Sequence, residues 1–377
     1  MGWEGIVPVA MIRPAGSFVS SALRYGLRHL VQVADYPFGL GLAPPERVSF
    51  TLTHRCNCRC EMCGLWKLED QDSELPAARW LGLLDELRAW IGPFRLALNG
   101  GEIFLKPGVY DIIRRCVDLG VTLNPVSNGL VFQSERHFRL LLDSGLKAIT
   151  FSLDGLDPQS HDRHRGSPGL HSAVASVIRR LKQERPRLSV SVICIIMRDT
   201  APHLTEFVRW AGDLGVDNVL FQPIAEPAGR PEKDPAWSRT SELFVTDLAA
   251  LDRSIAALLH LKTQSNLIEL PSSALRGMQE YFTHPHDFQL KGRRCRLGQT
   301  DLRINPQGVV YLCDVRHTAI GHVDDGPLAR LWRAGRARSA RAAIRRCQRP
   351  CAALCHRSPG LLEKASTFWR YARAGRL

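Results

Sequence analysis

Four cysteines crowd the stretch THRCNCRCEMCGLW (53–66). Cys56, Cys60 and Cys63 carry the spacing C-x3-C-x2-C, with Cys58 as an extra thiol among them. Thiolates are the usual ligands of iron–sulfur clusters, and three on one short loop can bind three corners of a cubic [4Fe–4S] cluster. The fourth iron then has no protein ligand in this loop, so a small chelating molecule can take that corner. A structural zinc is the competing reading, but zinc sites favour paired C-x2-C with a distant partner pair, and three thiols would leave the ion incomplete. A second group lies near the C-terminus. Cys295 and Cys313 flank a segment with a Gly-containing turn, and CQRPCAALC follows with Cys347, Cys351 and Cys355 at i, i+4, i+8, one face of a helix. Cys116 and Cys194 fall inside helix and strand patterns and read as buried apolar residues.

These thiols need a scaffold, and the pattern supplies one. Short apolar, β-branched runs occur at 48–53, 95–99, 121–127, 147–153, 188–196 and 218–223. Helix-period segments separate them at 76–91, 108–119, 134–144, 169–184 and 202–214. Strands alternating with helices specify parallel βαβ units with right-handed crossovers. Six units are too few for a closed eight-fold barrel and suit a partial one, whose chemistry gathers at the C-terminal ends of the strands. The cysteine loop directly follows the first strand. Ahead of it, residues 1–46 read as an N-terminal extension, with 17–36 as an amphipathic helix whose Leu23, Leu27, Leu30 and Val31 are expected to pack onto the main domain. Residues 226–292 read as a Pro- and charge-rich linker and then helices, including one long helix over 240–264. Residues 293–377 form the last unit.

Of 377 residues 45% are hydrophobic, which with the lack of low complexity excludes collagen-like and disordered classes. No apolar run reaches the roughly 18 residues of a membrane-spanning helix, and the N-terminus is a poor signal peptide. Eleven cysteines without an export signal point to the cytoplasm, where close-set thiols more often mean metal than disulfide. The net charge of +13 sits almost wholly from Pro327 onward, where 13 Lys/Arg face one acid. Such a tail is either a solvated helix face or a surface for anions, acidic lipid headgroups or nucleic acid. Its few interleaved aromatics weigh against nucleic acid, and the protein is expected to be cytoplasmic, with peripheral membrane attachment as the variant reading.

The cysteine loop, with NGGE, VSNG, FSLDG and HDRHRG following in order over residues 48–223, resembles the radical S-adenosylmethionine (SAM) superfamily. The resemblance implies that Cys56, Cys60 and Cys63 hold the cluster and that the methionyl amine and carboxylate of SAM chelate the open iron. Gly100, Gly101 and Glu102 would meet the methionyl ammonium: glycines permit close backbone approach and a carboxylate pairs with a cation. Ser127 and Asn128, then Ser152 and Asp154, would place polar groups against the carboxylate and ribose, and Arg165 would pair with the cofactor carboxylate. The last unit resembles the SPASM and Twitch extensions. With five cysteines where the full SPASM pattern has seven, it implies one auxiliary [4Fe–4S] cluster held by Cys295, Cys313 and two of Cys347, Cys351 and Cys355. The expected fold is therefore α/β, a partial (βα)6 TIM-like barrel with a C-terminal auxiliary-cluster domain of β-hairpin and helices.

The implied activity is reductive cleavage of SAM to a 5′-deoxyadenosyl radical, which removes a substrate hydrogen, with electrons from a flavodoxin or ferredoxin. Such an oxidoreductase acts on a small molecule (a sugar, nucleotide or lipid), anionic or membrane-associated given the basic tail, or alternatively on a peptide or protein. The short segment before the barrel and the reduced cysteine count favour the small molecule. A non-catalytic iron–sulfur electron carrier is the remaining alternative, one that has no use for the strand-end motifs.

Overall fold

The computed structural model describes residues 18–68, 73–227, 234, 236–285, 295–314 and 318–347. Parallel strands form the frame: β1 (Arg47–Thr53), β2 (Arg95–Gly100), β3 (Thr122–Leu123), β4 (Val126–Ser127), β5 (Ala148–Ser152), β6 (Ser189–Ile196) and β7 (Asn218–Pro223). The run over 121–127 is one strand in the sequence pattern and two in the structure, because it changes ladders at Asn124–Pro125. Pro125 has no N–H to give a ladder, and its carbonyl accepts instead from Thr150 N at 2.9 Å. One ladder runs β1-β2-β3 and the other β4-β5-β6-β7. Together they make six parallel positions in order, the wall of an incomplete barrel.

Six helices follow the strands in turn: α2 (Ala77–Ile91), α3 (Val109–Asp118), α4 (Glu135–Asp143), α5 (Pro158–Arg165), α6 (Leu170–Glu184) and α7 (Leu204–Asp213). The apolar faces of the other five cover the sheet's outer side, α5 being polar, and there Phe50 and Leu52 of β1 are fully buried and Phe50 packs on Trp80 with centroids 4.7 Å apart. The inner side is polar. Asn99 Nδ2 donates to Ser49 Oγ, Asn124 Nδ2 to Thr150 Oγ1, and Asn218 Nδ2 to Ser191 Oγ across neighbouring strands. The HDRHRG segment (161–166) lies outside the helix-period runs of the sequence, yet α5 is a helix. Asp157 caps it by accepting from Gln159 N and Ser160 N, and Pro158 stands at its first turn.

After β7 come α8 (Trp237–Thr240), α9 (Leu248–Gln264) and α10 (Ser272–Thr283). The expected helix over 240–264 is thus divided, since Asp247 accepts from Ala250 N at 2.9 Å and caps a fresh start at residue 248. The C-terminal unit has α11 (Leu297–Thr300), β8 (Asp301–Ile304), β9 (Val309–Tyr311), β10 (Ala319–His322), α12 (Leu328–Arg333) and α13 (Gly335–Arg345). Its expected hairpin carries a third strand and does not stand apart. β8 runs parallel to β1 with Arg47 opposite Asp301, so the order β10-β9-β8-β1-β2-β3 is one continuous sheet.

The N-terminal helix α1 (Phe18–Asp35) packs on the barrel, but not by the face expected. Leu27 and Leu30 point to solvent, while Arg28 Nη2 donates to Ile91 O and Gln32 Nε2 to Gln299 O. Buried backbone carbonyls without partners cost more than exposed leucines do, and this helix supplies the donors. The side chain of Leu23 lies outside the described residues.

Candidate active site

The loop after β1 is held from three sides. Glu74 Oε1 accepts from Thr53 Oγ1 at 2.7 Å and from His54 N at 2.9 Å, and its other oxygen takes Lys106 Nζ at 2.9 Å. This carboxylate stays below the usual range, since the bonds from Lys106, Thr53 and His54 outweigh burial. From the second side, Arg59 N donates to Arg165 O and Glu61 N to His164 O, which fastens the loop to the end of α5. The His164 ring spans Glu61 and Asp199, each at 3.0 Å. From the third, Gly101 N donates to Thr53 O and Glu102 N to Arg55 O. A Cβ at Gly100 (φ +144°) would stand 2.2 Å from Thr53 O, and one at Gly101 2.3 Å from Arg55 O. Only glycines allow this backbone-to-backbone approach.

Cys56, Cys60 and Cys63 line one open cleft, with Met62, Leu65, Trp66, Gly100, Gly101, Ser127, Asn128, Ser152 and Arg165 around them. Among the described residues no three Cys, His, Asp or Glu side chains are arranged to hold a single metal ion. Cys58 is fully buried and does not line the cleft; its N–H donates to Cys56 Sγ at 3.4 Å. Hydrogen bonding from Cys58 pulls the Cys56 thiol down to about 6 against the opposing effect of burial. Burial pushes Cys60 up to about 11 and raises Cys63. Asn128 Nδ2 stands 3.7 Å from Cys56 Sγ, a further donor toward sulfur.

The two strand-end carboxylates stand outside the cleft lining. Glu102 is fully buried, outside the cleft lining, and accepts from Phe104 N, Ser127 Oγ (3.0 Å) and Asn128 N (2.8 Å). Burial raises its pKa to about 7. Asp154 lies behind Arg165, accepting from its Nε at 2.7 Å and from Ile195 N at 2.8 Å. Glu102 therefore ties the ends of β2 and β4 together, and Asp154 aims the Arg165 guanidinium. Sequence reasoning missed Glu74, Lys106 and Asp199. Their contacts span 20 residues or more along the chain, and no local pattern announces them.

In the C-terminal unit, Cys313 follows β9 and is buried, while Cys295 and Cys347 are half-buried beside α11 and after α13. Tyr36 Oη donates to Cys295 O at 3.1 Å. Cys351 and Cys355 lie outside the described residues.

Residues 50–211 match the sequence profile of the radical SAM superfamily, and residues 295–357 that of the SPASM iron–sulfur cluster-binding domain. The chain carries a radical SAM domain. The chain is 24% identical over 324 residues to a PqqA peptide cyclase of Rhodopseudomonas palustris, covering 84% of this chain and 79% of the relative. It is 25% identical over 289 residues to that of Methylorubrum populi, covering 74% and 70%. Its fold resembles that of Streptococcus suis SuiB bound to S-adenosylmethionine, with a TM-score of 0.63 and 17% identity over 87% of this chain and 73% of that one. A radical SAM domain implies a [4Fe–4S] cluster and SAM as cofactors, and a SPASM domain implies auxiliary iron–sulfur binding. The SPASM match contains all five C-terminal cysteines.

Proposed function

We propose that this chain is a peptide-modifying radical SAM enzyme in which Cys56, Cys60 and Cys63 hold the catalytic [4Fe–4S] cluster. The observation that carries the site assignment is the shared cleft: three thiols, a buried cation and the strand-end amide and hydroxyl groups of Ser127, Asn128 and Ser152 face one space. The donor set suits a cubane, whose separate corners need separate thiolates, and leaves one corner for a chelating ligand. The bound pair supplies one-electron cleavage of SAM and abstraction of a substrate hydrogen.

The residues of the chain do the positioning. Arg165, braced by Asp154, presents a fixed cation to the methionyl carboxylate. Ser127, Asn128 and Ser152 offer hydrogen bonds at the ends of β4 and β5, and the Gly100–Gly101 backbone forms the wall beside them. Glu102 acts through these groups by holding Ser127 and Asn128 in place. Trp66, whose Nε1 donates to Cys60 O at 3.1 Å, and Leu65 wall the cluster side against water. Cys295 and Cys313, with two of Cys347, Cys351 and Cys355, hold an auxiliary cluster.

A peptide rather than a small molecule is favoured by the relatives, which are named peptide cyclases and align along most of the chain. The short segment before the barrel and the five cysteines, which favour a small molecule in the sequence alone, carry less weight than that. The polar inner face of the sheet suits a peptide's amides. The test is transfer of deuterium from a perdeuterated precursor peptide into 5′-deoxyadenosine, with Cys60→Ala as the control that releases none. Label arriving only from a sugar, nucleotide or lipid would return the assignment to the small-molecule class. Full cleavage by Cys60→Ala would remove the cluster assignment.

A further inference from the structure

Among the described residues, every large apolar side chain that is well exposed falls in one 16-residue segment. Leu27, Leu30, Val33, Phe38, Leu40 and Leu42 are 37–66% exposed. On α1, Leu27, Leu30 and Val33 stand at i, i+3 and i+6 and share one face. The opposite face carries Arg28, Gln32 and Asp35, which are spent on the protein. Gln32 donates to Gln299 O, and Asp35 accepts from Leu40 N at 2.9 Å and Gly41 N at 2.8 Å. Those bonds fold residues 38–42 back beside the helix end. Phe38, Leu40 and Leu42 then alternate outward, while Gly39, Gly41 and Ala43 alternate inward. The helix is thus docked polar side in and apolar side out.

The rim of this face is cationic. Gly39 and Gly41 lie against α13, where Arg341 Nη1 donates to Gly39 O at 3.2 Å. Residues 327–347 hold seven arginines and no acid, and Arg333, Arg336, Arg338 and Arg346 are exposed. The acid of the apolar segment, Asp35, is buried beneath its own turn. We propose that this face is a docking surface for an anionic lipid bilayer, with α1 lying flat in the interface and the arginines of α12 and α13 on the headgroups. Pairing with a second copy would bring two arginine-rich rims together, whereas acidic headgroups neutralise them. Among the described residues no helix is long and apolar enough to cross a membrane. The face also lies at the end of the sheet where β1 begins, since α1 bonds to Ile91 just ahead of β2 and to Gln299 just ahead of β8. The cysteine loop leaves the other end of β1. A docked molecule therefore turns its cleft away from the lipid.

The full-length, iron-loaded protein is floated with vesicles of phosphatidylcholine alone and of phosphatidylcholine with one quarter phosphatidylglycerol. The expected result is recovery with the anionic vesicles roughly tenfold above that with neutral ones, weakened by high salt. Leu30→Glu/Phe38→Glu is expected to lose about tenfold on anionic vesicles, and Arg336→Glu/Arg338→Glu to lose the preference for them. Both pairs are exposed, and unchanged iron content and circular dichroism report that each variant has folded. Equal recovery with and without vesicles would overturn the proposal, as would dimerisation abolished by Leu30→Glu/Phe38→Glu. Lipid binding kept by both variants but lost on deleting residues 1–17 would place the attachment elsewhere and overturn it too.

Discussion

At the scale of single residues, the cleft works because its polar groups are tied before any ligand arrives. Glu102 spends both carboxylate oxygens on Phe104, Ser127 and Asn128, and Asp154 spends its own on Arg165 and Ile195. The types of these residues and their places at strand ends were legible in the sequence. Their division of labour was not, because a carboxylate's partner is chosen by tertiary packing. His161 belongs to the same backing layer: its Nδ1 accepts from Asp154 N at 3.0 Å. Burial lowers its pKa to about 4, below the ordinary value near 6.5. The folded protein thus keeps this ring neutral where the unfolded chain takes up a proton. The stability it contributes is complete above about pH 6.5 and is lost as the pH falls toward 4. Thermal midpoints measured between pH 7 and 5 are expected to fall, and His161→Gln to flatten that slope. An identical slope in the variant would show that the acid sensitivity lies elsewhere.

At the scale of elements, the strands and most helices were readable because their periods are clean. The boundaries of β1, β2, β6 and β7 lie within a residue or so of the apolar runs. Three features escaped. α5 has a polar composition with little apolar period and owes its existence to the Asp157–Pro158 cap. The third strand of the C-terminal unit is four residues long, too short for a pattern. α1 shows the expected amphipathic spacing but reverses its orientation, since periodicity identifies two faces without saying which is buried. The joint between β2 and the cysteine loop is the element-level feature on which the site most depends. Gly100→Ala forces a Cβ against Thr53 O at a backbone angle that alanine rarely adopts, and is expected to cost about 2–4 kcal/mol. Chemical denaturation should report that loss, together with poor iron loading. Wild-type stability and iron content in the alanine variant would show that the close approach is dispensable.

At the scale of the whole molecule, the C-terminal unit is structurally part of the barrel. β8 gives β1 its second neighbour, and Leu302 and Ile304 are fully buried. The sequence pointed to a second cysteine-bearing unit but not to this shared sheet, because parallel pairing between residues 47 and 301 leaves no local trace. Ending the chain at residue 294 would bare the β1 edge and the apolar surface under β8. Such a protein is expected to be recovered as aggregate, and a monodisperse truncated barrel would contradict that coupling. The central claim concerns the three-thiol cluster and its open corner. In a Cys295→Ala/Cys313→Ala chain, reconstituted and reduced without oxygen, electron paramagnetic resonance would observe the catalytic cluster without the auxiliary signal. We expect a [4Fe–4S]⁺ spectrum that changes when S-adenosylmethionine is added, while an unaltered spectrum at saturating S-adenosylmethionine would contradict the account.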